Sequence, residues 1–267
     1  MRNTFNKSDI HYSAEDIILL LGDCKSILSQ LPDNSCDMIF ADPPYFLSSG
    51  GITCSGGKMV SVNKASWDKS MHIKEIHSFN REWLKACQRV LKPNGTIWIS
   101  GTYHNIYSIG LALEELSFKI LNNITWRKSN PPPNLSCRYF THSTETILWA
   151  GKSKKTKHYF NYKLMKEFNN NKQMKDVWEF PVINKKEKEF GNHPTQKPKK
   201  VLERIILAST QEGDLLLDPF NGSGTTGIVA TELGRNYIGI DMVSEYLDTT
   251  VKRYKNAIAF KKERKSI

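Results

Sequence analysis

Between Asp214 and Leu233 an apolar run, Leu215-Leu216-Leu217, ends in Asp218-Pro219-Phe220-Asn221-Gly222-Ser223-Gly224-Thr225-Thr226-Gly227, and helix-compatible residues continue from there. A strand that breaks into a glycine turn and re-forms at once as a helix belongs to an open α/β sheet. The small turn leaves room for a ligand, and the N–H groups of the new helix point toward it. Gly222, Gly224 and Gly227 fit G-x-G-x-x-G, and Asp241 ends the next predicted strand, where an acid can accept hydrogen bonds from ribose hydroxyls. NAD, FAD and S-adenosylmethionine all suit such a turn. A tight turn that binds nothing is the bland alternative, so the motif constrains the fold more than the cofactor.

The rest of the chain repeats the alternation. Strand patterns at 16–23, 36–42, 96–101, 118–126, 144–150, 214–220 and 236–241 alternate with helical ones at 26–31, 73–91, 105–116, 199–210 and 225–233, and a last helix reaches about Lys262. In the longest early helix, Ile76, Phe79, Trp83, Leu84, Cys87 and Val90 form one apolar stripe, which Lys92-Pro93-Asn94-Gly95 ends. The expected fold is α/β: a doubly wound, largely parallel, Rossmann-like sheet. Residues 127–192 are expected as an insertion carrying recognition surface, with 1–126 and 193–267 as the two halves of one domain. Phe46 to Ser70 is rich in Gly and Ser and is expected to be a long loop that closes over bound substrate.

Composition bounds the partners. The five cysteines are scattered without a Cys-x-x-Cys pair, which argues against a disulfide framework or a zinc site, and the seven histidines show no helix-spaced ligand pair, so no metal is expected. No apolar run is long enough to span a bilayer and no signal or transit peptide opens the chain, so the cytoplasm is the expected location. The formal charge is +11, and Gly151 to Lys200 holds 14 lysines and no arginine against five acids. A lysine run is ordinarily a solvated face, but this concentration suits a polyanion such as DNA, with Lys154, Lys155 and Lys157 as candidate contacts.

The second motif is Ala41-Asp42-Pro43-Pro44-Tyr45, at a predicted strand end, where ligands bind in open α/β sheets. An exocyclic amine on a nucleobase is a poor nucleophile because its lone pair is delocalised into the ring. The Asp42 carboxylate and the Pro43 carbonyl can accept its two N–H bonds, draw the nitrogen toward tetrahedral and aim its lone pair at a sulfonium methyl. The prolines, Pro43 and Pro44, stiffen the backbone and pre-aim that carbonyl. Tyr45 offers a face on which a flipped base can stack. A proline-terminated edge strand is the plain alternative. No Pro-Cys dipeptide occurs, which removes the usual nucleophile for methylation of cytosine at carbon 5.

With both motifs in this order, the chain resembles the β-class amino-methyltransferases of bacterial restriction–modification systems over essentially its whole length. The resemblance implies S-adenosylmethionine as cofactor and places Asp23 and Cys24, in Gly22-Asp23-Cys24, at its adenine. It sets His193-Pro194-Thr195-Gln196-Lys197-Pro198 near its methionyl end, through Thr195 and Lys197. Asp218, Phe220, Gly222, Gly224, Thr225 and Asp241 complete the implied cofactor contacts. Asn221 departs from the small or apolar residue usual there. Asp at position 42, where cytosine-N4 enzymes of this kind carry Ser, favours N6 of adenine. The segment from Asn130 to Thr146 resembles the recognition segment of enzymes acting on GATC; a branch acting on GANTC shares its proline-asparagine opening. Within it, Arg138 can fork onto guanine and Asn134 can pair with an adenine edge, although phosphate or structural roles are equally open. The resemblance also raises a cognate restriction endonuclease and a homodimer as partners.

Three rivals remain on sequence grounds. A Rossmann-type oxidoreductase would use the glycine turn but leave Asp42-Pro43-Pro44-Tyr45 unexplained. An RNA or protein methyltransferase would more commonly carry Asn at position 42. A non-catalytic DNA-binding module would have no use for intact catalytic motifs. Cytosine-N4 methylation of DNA is the nearest alternative activity.

Overall fold

The structure is a computed structural model that describes residues 4–46, 52–55, 58–61, 72–182 and 196–265. The first half runs β1 (Ile10–Ser13), β2 (Ile17–Leu21), α1 (Cys24–Gln30), β3 (Cys36–Ala41), β4 (Ile52–Ser55), β5 (Lys58–Ser61), α2 (Ile73–Val90) and β6 (Leu91–Gly101). There follow α3 (Ile106–Glu115), β7 (Lys119–Lys128), β8 (Thr144–Gly151), α4 (Tyr162–Glu167) and β9 (Val177–Phe180). The last part is α5 (Lys199–Ser209), β10 (Leu215–Asp218), α6 (Thr225–Glu232), β11 (Asn236–Asp241) and α7 (Ser244–Lys265).

Nine strands form one sheet in the order β1-β2-β11-β10-β3-β6-β8-β7-β9. Its centre, β2-β11-β10-β3-β6, is parallel throughout, and β8 enters antiparallel between β6 and β7. The central strands are apolar on both faces because both faces are covered. Alternate residues enter two different cores: Leu20, Ile39, Ile97, Ile99, Leu217 and Ile238 pack with α1, α2 and α3. Leu19, Met38, Phe40, Trp98, Leu216 and Tyr237 pack with α5, α6 and α7. That period-2 split is the doubly wound architecture expected of the chain.

Two expectations change. The stretch Phe46 to Ser70 holds an antiparallel hairpin, β4 paired with β5, where a structureless loop was expected; the rest of it, apart from Phe46, lies outside the described residues, as does its expected closure. Within 127–192, β8 is an internal strand of the main sheet and β9 its edge strand, so what stands outside the sheet among the described residues is the chain between β7 and β8 and between β8 and β9. Its pattern, Thr144-Glu145-Thr146-Ile147-Leu148-Trp149-Ala150, is that of a strand buried at one end and wetter at the other.

Candidate active site

Because the central strands are parallel, their carboxyl ends share one edge, and the loops that leave it border one crevice. Asp218 ends β10, Asp241 ends β11, Asp42 follows β3, and Gly22-Asp23-Cys24 follows β2. These residues meet around a cavity of about 260 Å³, lined also by Phe220, Gly222 and Lys197.

The glycine turn is shaped by what lies beneath it. Gly224 has φ +72° and caps α6, and a Cβ there would collide with the Thr250 side chain. A Cβ on Gly227 would stand 2.5 Å from the Tyr237 ring, so that glycine sets the approach of α6 to β11. Asn221 turns its amide inward: it accepts from Tyr237 Oη at 2.9 Å and donates to Thr250 Oγ1 at 2.9 Å. Its polar side chain therefore costs the ligand nothing. Beneath the turn, the buried Arg253 of α7 donates to Ser223 O at 2.6 Å and to Thr225 Oγ1 at 2.9 Å.

Acceptors line the cavity. Asp241 accepts Gly222 N at 2.7 Å and Val243 N at 3.0 Å, and burial lifts its pKa to about 6. Asp218 accepts Thr226 Oγ1 at 2.7 Å and Phe220 N at 3.0 Å, and burial lifts it to about 7. Asp23 caps α1 through Oδ1, which takes the N–H groups of Lys25 and Ser26. The Cys24 thiol beside it is buried and pushed up to about 12, so it contributes shape rather than reactivity. Phe220 packs edge-on against Trp83, with centroids 5.3 Å apart, and this holds the aromatic wall in place.

At the other end of the cavity, Asp42 is held on both oxygens. Lys197 Nζ lies 2.6 Å from Oδ2 and Tyr45 Oη donates to Oδ1 at 2.6 Å, while Lys197 also donates to Tyr45 Oη at 2.9 Å. Burial raises the Asp42 pKa, and the Lys197 ammonium opposes that rise. Burial depresses the lysine in turn, but Asp42 and Glu145 outweigh it and keep the ammonium charged. Lys197 thus sits on the Asp42 carboxylate, rather than only at the cofactor end where sequence placed it. Its Nζ also covers the Tyr45 ring at 5.5 Å, and Tyr45 is buried, so its stacking face is partly taken in this state. Asn105, from the loop after β6, donates to Pro44 O at 3.2 Å and pins the proline pair.

Glu145 and Asn105 were not picked out from sequence. Glu145 falls there within a strand and within the Asn130 to Thr146 segment, and Asn105 opens a helix; neither stands out from its neighbours as a site residue. Thr195 lies outside the described residues. Asn134 spends its amide on its own loop: it accepts Ser136 N at 3.0 Å and Ser136 Oγ at 2.8 Å and donates to Tyr139 O, so it knots the turn instead of presenting a base-reading edge. Arg138 is exposed on that loop, beside Tyr139 and Phe140, which are 60% and 96% exposed.

Lys154, Lys155 and Lys157 are not brought to the site. They follow β8, whose last residue Gly151 pairs with Thr96 at the amino-terminal edge of the parallel strands, while Thr146 pairs with Gly101 at the Asp42 edge. Five residues of strand, about 16 Å, separate the two edges. Lys154 is spent on Glu114 at 3.1 Å, and Lys157 N donates to Asn94 Oδ1 at 3.2 Å. Among the described residues, no group of three His, Cys, Asp or Glu side chains could hold a metal ion, and no helix is long and apolar enough to cross a membrane.

The chain matches the N6_N4_Mtase family model, described as DNA methylase, over residues 36–252. It is 63% identical over 244 residues to the Type II methyltransferase M2.DpnII of Streptococcus pneumoniae, covering 91% of each chain. It is 62% identical over 244 residues to the Type II methyltransferase M2.LlaDCHI of Lactococcus lactis subsp. cremoris, again covering 91% of each. Among solved structures, the M1.HpyAVI-SAM complex superposes with a TM-score of 0.62 at 30% identity, over 89% of this chain and 99% of that one.

Proposed function

The chain belongs to the DNA methylase family, and from that membership we propose that it transfers a methyl group from S-adenosylmethionine to N6 of a flipped adenine, within GATC. DNA is the substrate that the family implies. The cavity supports the cofactor. Its acceptors, Asp23, Asp218 and Asp241, suit a ligand that brings an ammonium and two ribose hydroxyls, and Phe220 offers a flat apolar wall. Asp241 lies where ribose hydroxyls can reach it, and Asp23 stands near it at the carboxyl end of the neighbouring strand β2. When bound, S-adenosylmethionine supplies an electrophilic sulfonium methyl.

The observation that carries the reaction is Asp42, buried beside Lys197 at the cavity's end. Burial raises the carboxylate's pKa and the Lys197 ammonium opposes that rise, which favours the ionised, accepting form. Asp42 and the Pro43 carbonyl take the two N–H bonds of the target amine and localise its lone pair. The N–C bond forms as the S–C bond breaks, and the methylated amine then releases one proton toward Asp42 or water. Asn105 fixes Pro44 and, through it, the aim of that backbone. Asp rather than Ser at position 42 favours adenine over cytosine. The recognition surface is read as the 129–143 loop, with Arg138, Tyr139 and Phe140 on the Asp42 edge. The GATC reading rests on the resemblance of Asn130 to Thr146. Such a role implies a cognate endonuclease in the same bacterial cytoplasm, cutting where the methyl group is missing.

Tritiated S-adenosylmethionine with DNA containing GATC, followed by nucleoside analysis, tests the reading. N6-methyladenine at GATC is expected, and Asp42→Ala is expected to abolish transfer with cofactor affinity retained. N4-methylcytosine as the product would overturn the adenine assignment. Cofactor binding lost together with transfer would make Asp42 a structural residue.

A further inference from the structure

Glu145 is the second residue of β8, and its side chain is 11% exposed. Its Oε1 pairs with Lys128 Nζ at 2.7 Å. Its Oε2 is buried and makes no hydrogen bond, although Lys197 Nζ stands 3.4 Å away. A buried carboxylate oxygen without a hydrogen bond is rare and costs stability, so its retention needs a reason. Lys197, meanwhile, has three N–H donors, of which Asp42 and Tyr45 take two.

The two facts fit one cycle. In the arrangement seen, the ammonium and the Tyr45 hydroxyl each hold one oxygen of the carboxylate that the target amine has to use. For the amine to take the position on Oδ2 that Lys197 holds, the ammonium has to lean off it. A buried ammonium that loses its partner without gaining another is strongly destabilised. Glu145 Oε2 is the acceptor within reach, and closing 3.4 Å to the 2.7–2.9 Å of a charge-assisted bond takes a movement of about 0.6 Å. Lys128 meanwhile holds Glu145 ionised and in place.

We propose that Glu145 is a positioning residue for methyl transfer: it takes up the Lys197 ammonium when the target amine occupies Asp42. The lysine then has two seats, one on Asp42 in the free enzyme and one on Glu145 in the substrate complex. Without the second seat, the lysine stays clamped on the acceptor and the amine competes with it. The inference rests on the amino-methylation reading given above.

A double-mutant cycle on the full chain, with DNA and S-adenosylmethionine, tests it. Glu145→Gln is expected to lower kcat of the folded protein by roughly tenfold or more, with cofactor Kd within about twofold of wild type, and to lower Tm as well because Lys128 loses a buried partner. Lys197→Met removes the ammonium that needs a seat, so E145Q added to K197M is expected to cost nothing further. A residue that merely braces β8 would give kcat costs that add in the double variant, and that result overturns the proposal. So does wild-type kcat in E145Q. Should E145Q fail to fold, Glu145→Asp takes its place in the cycle. It keeps the charge and withdraws it by one methylene, with the same loss expected beside Lys197 and none beside Met. Wild-type protein that transfers no methyl to DNA sinks the activity reading itself; active wild type beside equally active E145Q sinks only the role of Glu145.

Discussion

Both oxygens of Asp241 already serve the turn they face, one receiving Gly222 N and the other Val243 N. Each oxygen keeps a further lone pair for a ligand hydroxyl, and that double duty makes the residue's ionisation matter. Burial lifts its pKa to about 6, so at neutral pH it is charged and near pH 5 largely protonated. Hydroxyl donors bind the carboxylate better than the acid. Cofactor affinity is therefore expected to rise with pH through about 6 and level off above it. Asp241→Asn removes the titration and should flatten that rise, while Asp241→Ala should weaken binding by about 1.5–3 kcal/mol, the range for hydrogen bonds to a charged group. Calorimetric titrations of both variants between pH 5 and 8 check this. A wild-type affinity that does not change over the range would show that the carboxylate is not in contact with the ligand.

At the scale of elements, the motif spacing was enough to place β10, the glycine turn, α6 and β11, because each needs the next. Gly227 is the point where helix meets strand: the space a Cβ needs is filled by the Tyr237 ring, which is itself tied to Asn221. Gly227→Ala is expected to destabilise the protein by about 1–3 kcal/mol through overpacking, read as a lower urea midpoint at constant m. Unchanged stability would mean that α6 can slide away from β11 freely. What stayed illegible follows from the same logic. The strands β1 and β9 have four residues each and α4 has six, too short for a period to emerge. The pattern of β8 was legible as a strand, but nothing local reveals that it inserts antiparallel between β6 and β7, since that placement depends on a partner on each side. Asp42 was legible because its neighbours are prolines. Glu145, 103 positions away in sequence, becomes part of the same site only through the sheet order and Lys197.

Over the whole molecule, charge and function divide between two edges of one sheet. The carboxyl edge holds the acceptors that line the cavity, Asp42 and the exposed loop with Arg138; the opposite edge holds Lys154, Lys155 and Lys157. Net composition sees only the sum, which is why the lysine-rich stretch looked like one DNA-binding surface. A duplex whose flipped base enters at Asp42 lies against the carboxyl edge, and charges on the far edge are separated from it by the thickness of the domain. At 0.15 M salt the Debye length is about 8 Å, half the length of strand between the edges, so their contribution is largely screened. Reversing Lys154, Lys155 and Lys157 to Glu is therefore expected to leave the salt dependence of DNA KM nearly unchanged. Arg138→Glu, at the carboxyl edge, is expected to raise KM and to lower the salt slope by about one unit for each phosphate contact removed. Methylation kinetics from 50 to 300 mM KCl, run on both variants, decide between the edges. A slope that flattens in the triple lysine variant and not in the Arg138 variant would put the duplex on the far side of the sheet and require the target base to arrive by another route.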